Sequence, residues 1–152
     1  MKIYFHLSIE GFSNCYLVTN PITKEAIIID PGTITHEIIN QIEEQYYTLV
    51  GILVTHHHKS HTRGIPTLRK IYNPKIYAAD YEVAGSSTNV LKGDGTIKVA
   101  GLTVNYMSIP GHTPDSLCFK IGKVIFTGDA LTAGMIGDTS NSYAEKNLIN
   151  NI

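Results

Sequence analysis

Four histidines and one aspartate sit where they could do metal chemistry. His56, His58 and His61 form an H-x-H-x-x-H run within Thr55-His56-His57-His58-Lys59-Ser60-His61; His112 lies in Pro110-Gly111-His112-Thr113-Pro114, and Asp129 ends Phe126-Thr127-Gly128-Asp129. In extended backbone, residues i and i+2 project to one side, so His56 and His58 share a target while His57 points away as a solvent-facing spacer. His61 comes back from the start of the next helix. Imidazole nitrogen suits Zn, Fe, Cu or Ni, and a cation held by several histidines usually gains a carboxylate from elsewhere. Each cluster falls in a turn adjoining an expected strand, where rigid scaffolds carry function, and together they read as a metal site. His6 and His36 read as ordinary surface or half-buried histidines.

The elements that must position these residues follow from the apolar pattern. Lys2 to Leu7, Cys15 to Thr19 and Ala26 to Ile29 are strand-like, and Asn20-Pro21-Ile22-Thr23 turns the last two into an antiparallel hairpin. After Asp30-Pro31-Gly32 the period changes, and Thr35 caps a helix with Ile38, Ile39 and Ile42 on one face. Leu49 to Thr55 is a strand buried on both faces that runs directly into the histidines. A second helix is expected from about Gly64 to Tyr72, stopped by Asn73-Pro74 and followed by a short strand, Lys75 to Ala78. Ala79 to Gly95 reads as loop with one helical turn. Thr96 to Ala100 and Leu102 to Ile109 are strands around Gly101. Leu117 to Ile121 and Val124 to Thr127 form a hairpin through Gly122-Lys123, and Asn141 to Ile152 starts an amphipathic helix. Asp94 and Asp138 read as turn residues, and Tyr46, Tyr47, Tyr72, Tyr77 and Tyr81 as half-buried packing residues.

Composition narrows the function classes. With 152 residues, 43% apolar and 16% charged, the chain has the makings of one domain spanning residues 1–152 that folds without a disulfide framework. Twelve basic and thirteen acidic residues give a net charge of −1, so no footprint for nucleic acid or an anionic membrane is present. Cys15 and Cys118 lie far apart and are expected as buried free thiols. His6 and Glu10 interrupt the apolar run a signal peptide needs, and no 18 apolar residues run together, which leads to a cytoplasmic reading.

The chain resembles the metallo-β-lactamase-fold hydrolases, and within them the short glyoxalase-II-like proteins (hydroxyacylglutathione hydrolase-like). The resemblance rests on Phe12-Ser13-Asn14-Cys15, Asp30-Pro31-Gly32, Thr55 to His61, Pro110 to Pro114 and Phe126 to Asp129, in family order. It implies an α/β, or α+β, fold: a four-layer αββα sandwich with the metal site at one edge, between the two sheets. It also implies that His56, His58 and His112 hold a first metal, that Asp129 bridges to a second, and that His61 is a ligand of the second. Asp30 matches an acid that steadies the metal loop by hydrogen bonding; a simple turn-capping Asp is the other reading.

Two departures matter. The family pattern is H-x-H-x-D-H, but Ser60 stands where its metal-binding Asp is expected, and no histidine follows His112 to complete the second site. A neutral hydroxyl is a poor ligand beside a carboxylate, so one tightly held ion is expected, with the second position empty or partial. The resemblance further implies a domain incomplete at the C-terminus, lacking the last strand, last ligand turn and closing helix. Such a chain is either a fragment of a longer product or has an open side that a homo-oligomer or a second chain would cover.

Three functions follow from the resemblance. The leading one is a hydrolase in which a metal-bound hydroxide, on zinc with iron as the alternative, attacks a small-molecule thioester or related acyl bond while Asp129 holds it in line. No residue is assigned to any other cofactor. The second is a persulfide dioxygenase-like oxidoreductase with one iron on His56, His112 and Asp129. The third is a degenerate, non-catalytic metal-binding module or inactive fragment. Ser60 as a nucleophile is disfavoured, since it lacks the G-x-S-x-G elbow.

Overall fold

The computed structural model describes residues 1–7, 14–56, 59–109, 116–127, 131–132 and 135–136. Its elements are β1 (Lys2–Leu7), β2 (Asn14–Asn20), β3 (Glu25–Ile29), α1 (His36–Glu43), β4 (Thr48–Leu53), α2 (Lys59–Thr62), α3 (Ile65–Ile71), β5 (Lys75–Ala78), β6 (Glu82–Val83) and β7 (Ser86–Ser87). They continue with β8 (Asn89–Val90), β9 (Gly95–Val99), β10 (Leu102–Ser108), β11 (Leu117–Ile121), β12 (Val124–Phe126), β13 (Leu131–Thr132) and β14 (Met135–Ile136).

Two main sheets result. The larger has the order β1-β2-β3-β4-β5-β8, antiparallel through β3 and parallel from β3 to β8; the smaller is antiparallel in the order β12-β11-β10-β9. Strand alternation sends successive residues to opposite faces, which explains the unbroken apolar run of β3. Ala26 and Ile28 pack with Ile38 and Ile42 of α1 and Ile65 and Leu68 of α3, whereas Ile27 and Ile29 pack with Val104, Phe119 and Phe126 of the smaller sheet. The described residues thus build three layers: helices, larger sheet, smaller sheet.

Local chemistry sets the helix ends. Thr35 is extended at φ −105° and its hydroxyl accepts from the Ile38 N–H at 3.3 Å, leaving Ile38 and Ile42 buried one turn apart. The chain leaves α1 through Tyr46 at φ 60°, where the Tyr47 N–H donates to the Ile42 carbonyl at 2.9 Å. α3 carries a proline in its first turn and gives way to Asn73 at φ 52°, next to Pro74. Among the described residues no helix is long and apolar enough to cross a membrane.

Two expectations are corrected. The segment 79–95 holds no helical turn: β6 and β7 form a tight hairpin through Ala84 and Gly85, both at positive φ, and β8 joins β5 in parallel. Its strands are two residues long, so pairing rather than an apolar pattern makes them, and the sequence is too short there to show an alternation that would reveal them. Tyr46 and Tyr81, expected to be half-buried, are 85% and 78% exposed. Tyr46 occupies the left-handed position that ends α1, which turns it toward solvent. The expected helix at 141–152 and the turn at 110–115 lie outside the described residues.

Candidate metal centre

β3 and β4 run parallel, so their carboxyl ends reach the same edge of the sheet. Asp30 follows β3 with its N–H on the Leu53 carbonyl at 3.0 Å, and its left-handed backbone, φ 54°, turns the chain out of the sheet. Aspartate is one of the few side chains that accept that conformation readily. Thr55 and His56 follow β4 at the same level. The loop after Asp30 is closed by the Gly64 N–H on the Pro31 carbonyl at 2.7 Å; a Cβ at Gly64 would stand 2.8 Å from that oxygen, so only glycine permits the approach.

The buried Asp30 carboxylate organises the edge. Its Oδ1 accepts from the Thr55 N–H at 2.8 Å, and its Oδ2 accepts from the Thr55 hydroxyl at 2.6 Å and from His61 Nδ1 at 3.0 Å. Thr55 Oγ1 is also 3.1 Å from His56 Nδ1. The four-residue helix α2 carries His61 back so that its ring lies 4.1 Å from that of His56, centroid to centroid, with the planes tilted by 53°. Asp30, Thr55, His56 and His61 are each no more than 2% exposed. Nε2 of His56 is buried and makes no hydrogen bond to the described residues.

The carboxylate is felt beyond its contacts. Burial first, and the Asp30 charge second, push the Cys15 thiol well above its ordinary range; the Tyr16 hydroxyl is raised by burial and then by Asp30 and Cys15. Both cysteines are buried free thiols.

The expected site residues divide sharply. The structure brings His56 and His61 together and supports both on Asp30, while His57, His58, His112, Asp129 and Asp138 lie outside the described residues. Among the described residues no group of three or more His, Cys, Asp or Glu side chains is arranged to hold a metal. The flanks of the segment bearing His112 do reach this edge: the Ile109 N–H meets the Ser116 carbonyl at 2.9 Å, and the Leu117 N–H meets the Thr55 carbonyl at 2.7 Å. Ser60 is half-buried in α2 and Lys59 is exposed. Asp94 accepts from the Ser108 N–H at 3.1 Å, as a turn residue does, and His6 is half-buried against Gln41 at 2.7 Å. Thr55 is a further residue of this cluster, and its only mark in the sequence is a hydroxyl directly before the first histidine.

The donor chemistry fits a borderline divalent metal. Both rings turn Nδ1 toward oxygen partners, and outer hydrogen bonds of this kind orient histidine ligands.

Comparison with known proteins places this edge in a family. Residues 9–149 match the metallo-beta-lactamase superfamily. A hydroxyacylglutathione hydrolase of Pseudoalteromonas translucida (strain TAC 125) is 33% identical over 148 residues, 91% of this chain and 55% of its own length. One of Chromohalobacter salexigens is 30% identical over 145 residues, 92% of this chain and 56% of its own. The chain spans about half the length of these curated relatives. The crystal structure of the BLEG-1 B3 metallo-beta-lactamase superposes with a TM-score of 0.86, covering 99% of this chain and 84% of that one at 22% identity, a likeness of fold alone. Because the match runs through nearly the whole sequence and the fold agrees with it, this chain belongs to the metallo-beta-lactamase superfamily.

Proposed function

We propose that the chain is a metal-dependent hydrolase of a small-molecule thioester or related acyl bond, acting in the cytoplasm. A first zinc ion would be held by His56, His58 and His112 with Asp129, and His61 with Asp129 would offer a second, weaker position. The observation that carries this reading is the buried cluster in which one carboxylate supports two histidines at the end of parallel strands. The names of the curated relatives support the thioester as substrate class, a hydroxyacyl group on glutathione being the first to try.

A bound zinc ion supplies Lewis acidity toward the substrate carbonyl and lowers the pKa of water to about 7. The chain's own residues do the rest. Asp30 accepts the hydrogen on Nδ1 of His61 and so fixes the orientation of that ring. The Thr55 hydroxyl links His56 to the same carboxylate. Burial at this edge keeps bulk water from competing for these hydrogen bonds. Asp129 is the carboxylate assigned to orient the attacking water, the one catalytic residue named from the sequence.

The test uses the full chain expressed with zinc and iron supplied. Elemental analysis is expected to find about one equivalent of metal, zinc in preference to iron. Loss of thioester absorbance with a hydroxyacyl-glutathione should depend on that metal and disappear in His56→Ala. A wild-type chain with no bound metal, or one that carries zinc and leaves a panel of thioesters intact, overturns the reading.

A further inference from the structure

We propose that Thr55 is a positioning residue: its hydroxyl, fixed by Asp30, sets His56 in the Nδ1–H form so that Nε2 carries the lone pair. The inference deepens the hydrolase reading and rests on it only for the use to which that lone pair is put.

The argument turns on a single hydrogen. Thr55 Oγ1 and Asp30 Oδ2 stand 2.6 Å apart, a separation at which two bare oxygen acceptors repel, so a hydrogen lies between them and the hydroxyl donates it. A threonine side chain has only that one to give. Toward His56 Nδ1, 3.1 Å away, the same oxygen can then only accept, and the ring must carry its hydrogen on Nδ1. His61 obeys the same logic without an intermediary, because a carboxylate oxygen facing Nδ1 at 3.0 Å accepts from it. One acid thereby sets two rings, one directly and one through a hydroxyl.

The backbone holds Thr55 on both sides. Its N–H is on Asp30 Oδ1 at 2.8 Å and its carbonyl takes the Leu117 N–H at 2.7 Å, so the backbone that carries the hydroxyl is held between the Asp30 turn and β11. The β-branch restricts χ1 further. Thr55 therefore ties the histidine loop to the strand that follows the His112 segment.

The test reads ring tautomers directly. Long-range proton–nitrogen correlation spectra of the full chain, prepared with and without zinc, are expected to show His56 protonated on Nδ1; a wild-type His56 protonated on Nε2 overturns the proposal by itself. Thr55→Val keeps the shape and removes the hydroxyl. It is expected to move His56 toward the Nε2–H form and to weaken zinc binding, measured by chelator competition, by about 10- to 100-fold, with Thr55→Ser restoring both. A folded valine variant with an unchanged ring spectrum and unchanged zinc affinity overturns the proposal while leaving the hydrolase reading standing. If the valine variant does not fold, the wild-type and serine spectra decide. A wild-type chain that binds no zinc yet shows His56 as Nδ1–H supports the hydroxyl's role and overturns the hydrolase reading instead.

Discussion

Asp30 and His61, 31 residues apart in sequence, meet through a 3.0 Å contact between Oδ2 and Nδ1 where neither side chain is more than 2% exposed. The pairing requires two local features that are unusual separately. One is a left-handed aspartate directly after a strand; the other is a four-residue helix that returns the chain to the strand end. Their coincidence at one edge turns a histidine-rich loop into an ordered arrangement.

Removing the carboxylate should therefore be costly. Asp30→Ala strips the acceptor from the Thr55 N–H, the Thr55 hydroxyl and His61 at once, and puts alanine at φ 54°. A loss of about 3 kcal/mol or more is expected in urea unfolding, since each buried group left unsatisfied costs about 1–3 kcal/mol. Asp30→Asn keeps one oxygen acceptor and tolerates the backbone, so it should lose less. A neutral result for Asp30→Ala would contradict the network.

How much of this was legible in the sequence depends on the range of the interaction. Thr35 capping α1, the limits of β5 and the hairpin across Gly122 are local, and turn and capping chemistry announces them. Asp30 was readable only as either a loop-steadying acid or a turn cap, because its partners Thr55 and His61 lie 25 and 31 residues away and are chosen by the parallel pairing of β3 and β4. Thr55 is marked only by a hydroxyl next to the first histidine, for the same reason. The β6–β7 hairpin is not legible because two-residue strands have no periodicity, and neither is the exposure of Tyr46, which follows the helix end rather than the residue type. His56 and His61 were read as members of one site, and the fold brings those two rings together.

A histidine series separates ligands from bystanders. His56→Ala and His112→Ala should each strip the metal, whereas His57→Ala should leave the content at the wild-type level. A ligand that binds only the folded state raises its stability, so chelation should lower the melting temperature of the wild type and leave that of His56→Ala unmoved. Elemental analysis and thermal scans with and without a chelator check both.

The contact between the two sheets makes a separate stability prediction. A Cβ at Gly51 of β4 would stand 2.7 Å from Ile27 Cγ2 and 2.7 Å from Val99 Cγ1, both on buried β-branched side chains that have little room to turn aside. Gly51→Ala should cost about 1–3 kcal/mol by overpacking, seen as a lower urea midpoint at unchanged slope.

The thiols supply a pH dependence with a defined sign. Burial pushes Cys118 from its ordinary 9.0 up to about 11, and Cys15 is raised further by burial and then by the Asp30 charge. Between about pH 9 and 11 the unfolded thiols ionise while the native ones keep their protons, so the native state binds more protons and stability falls as pH rises through that window. Below the ordinary value the contribution is fully retained. The native chain should resist iodoacetamide at about pH 8 and take up two labels after unfolding in urea.

Ser60 offers a direct test of the second metal position that the family resemblance implies. The residue is half-buried in α2 immediately before His61, so a carboxylate placed there adds an anionic donor next to an imidazole already oriented by Asp30. A hydroxyl beside a carboxylate contributes little to a divalent cation, whereas an aspartate oxygen is an ordinary ligand. Ser60→Asp is expected to raise zinc from about one equivalent to about two, with a higher melting temperature in zinc than without it. If stoichiometry stays at one while the variant folds, an aspartate at position 60 does not by itself make a second site. Titration of the variant with zinc, read by elemental analysis after desalting, separates these two outcomes.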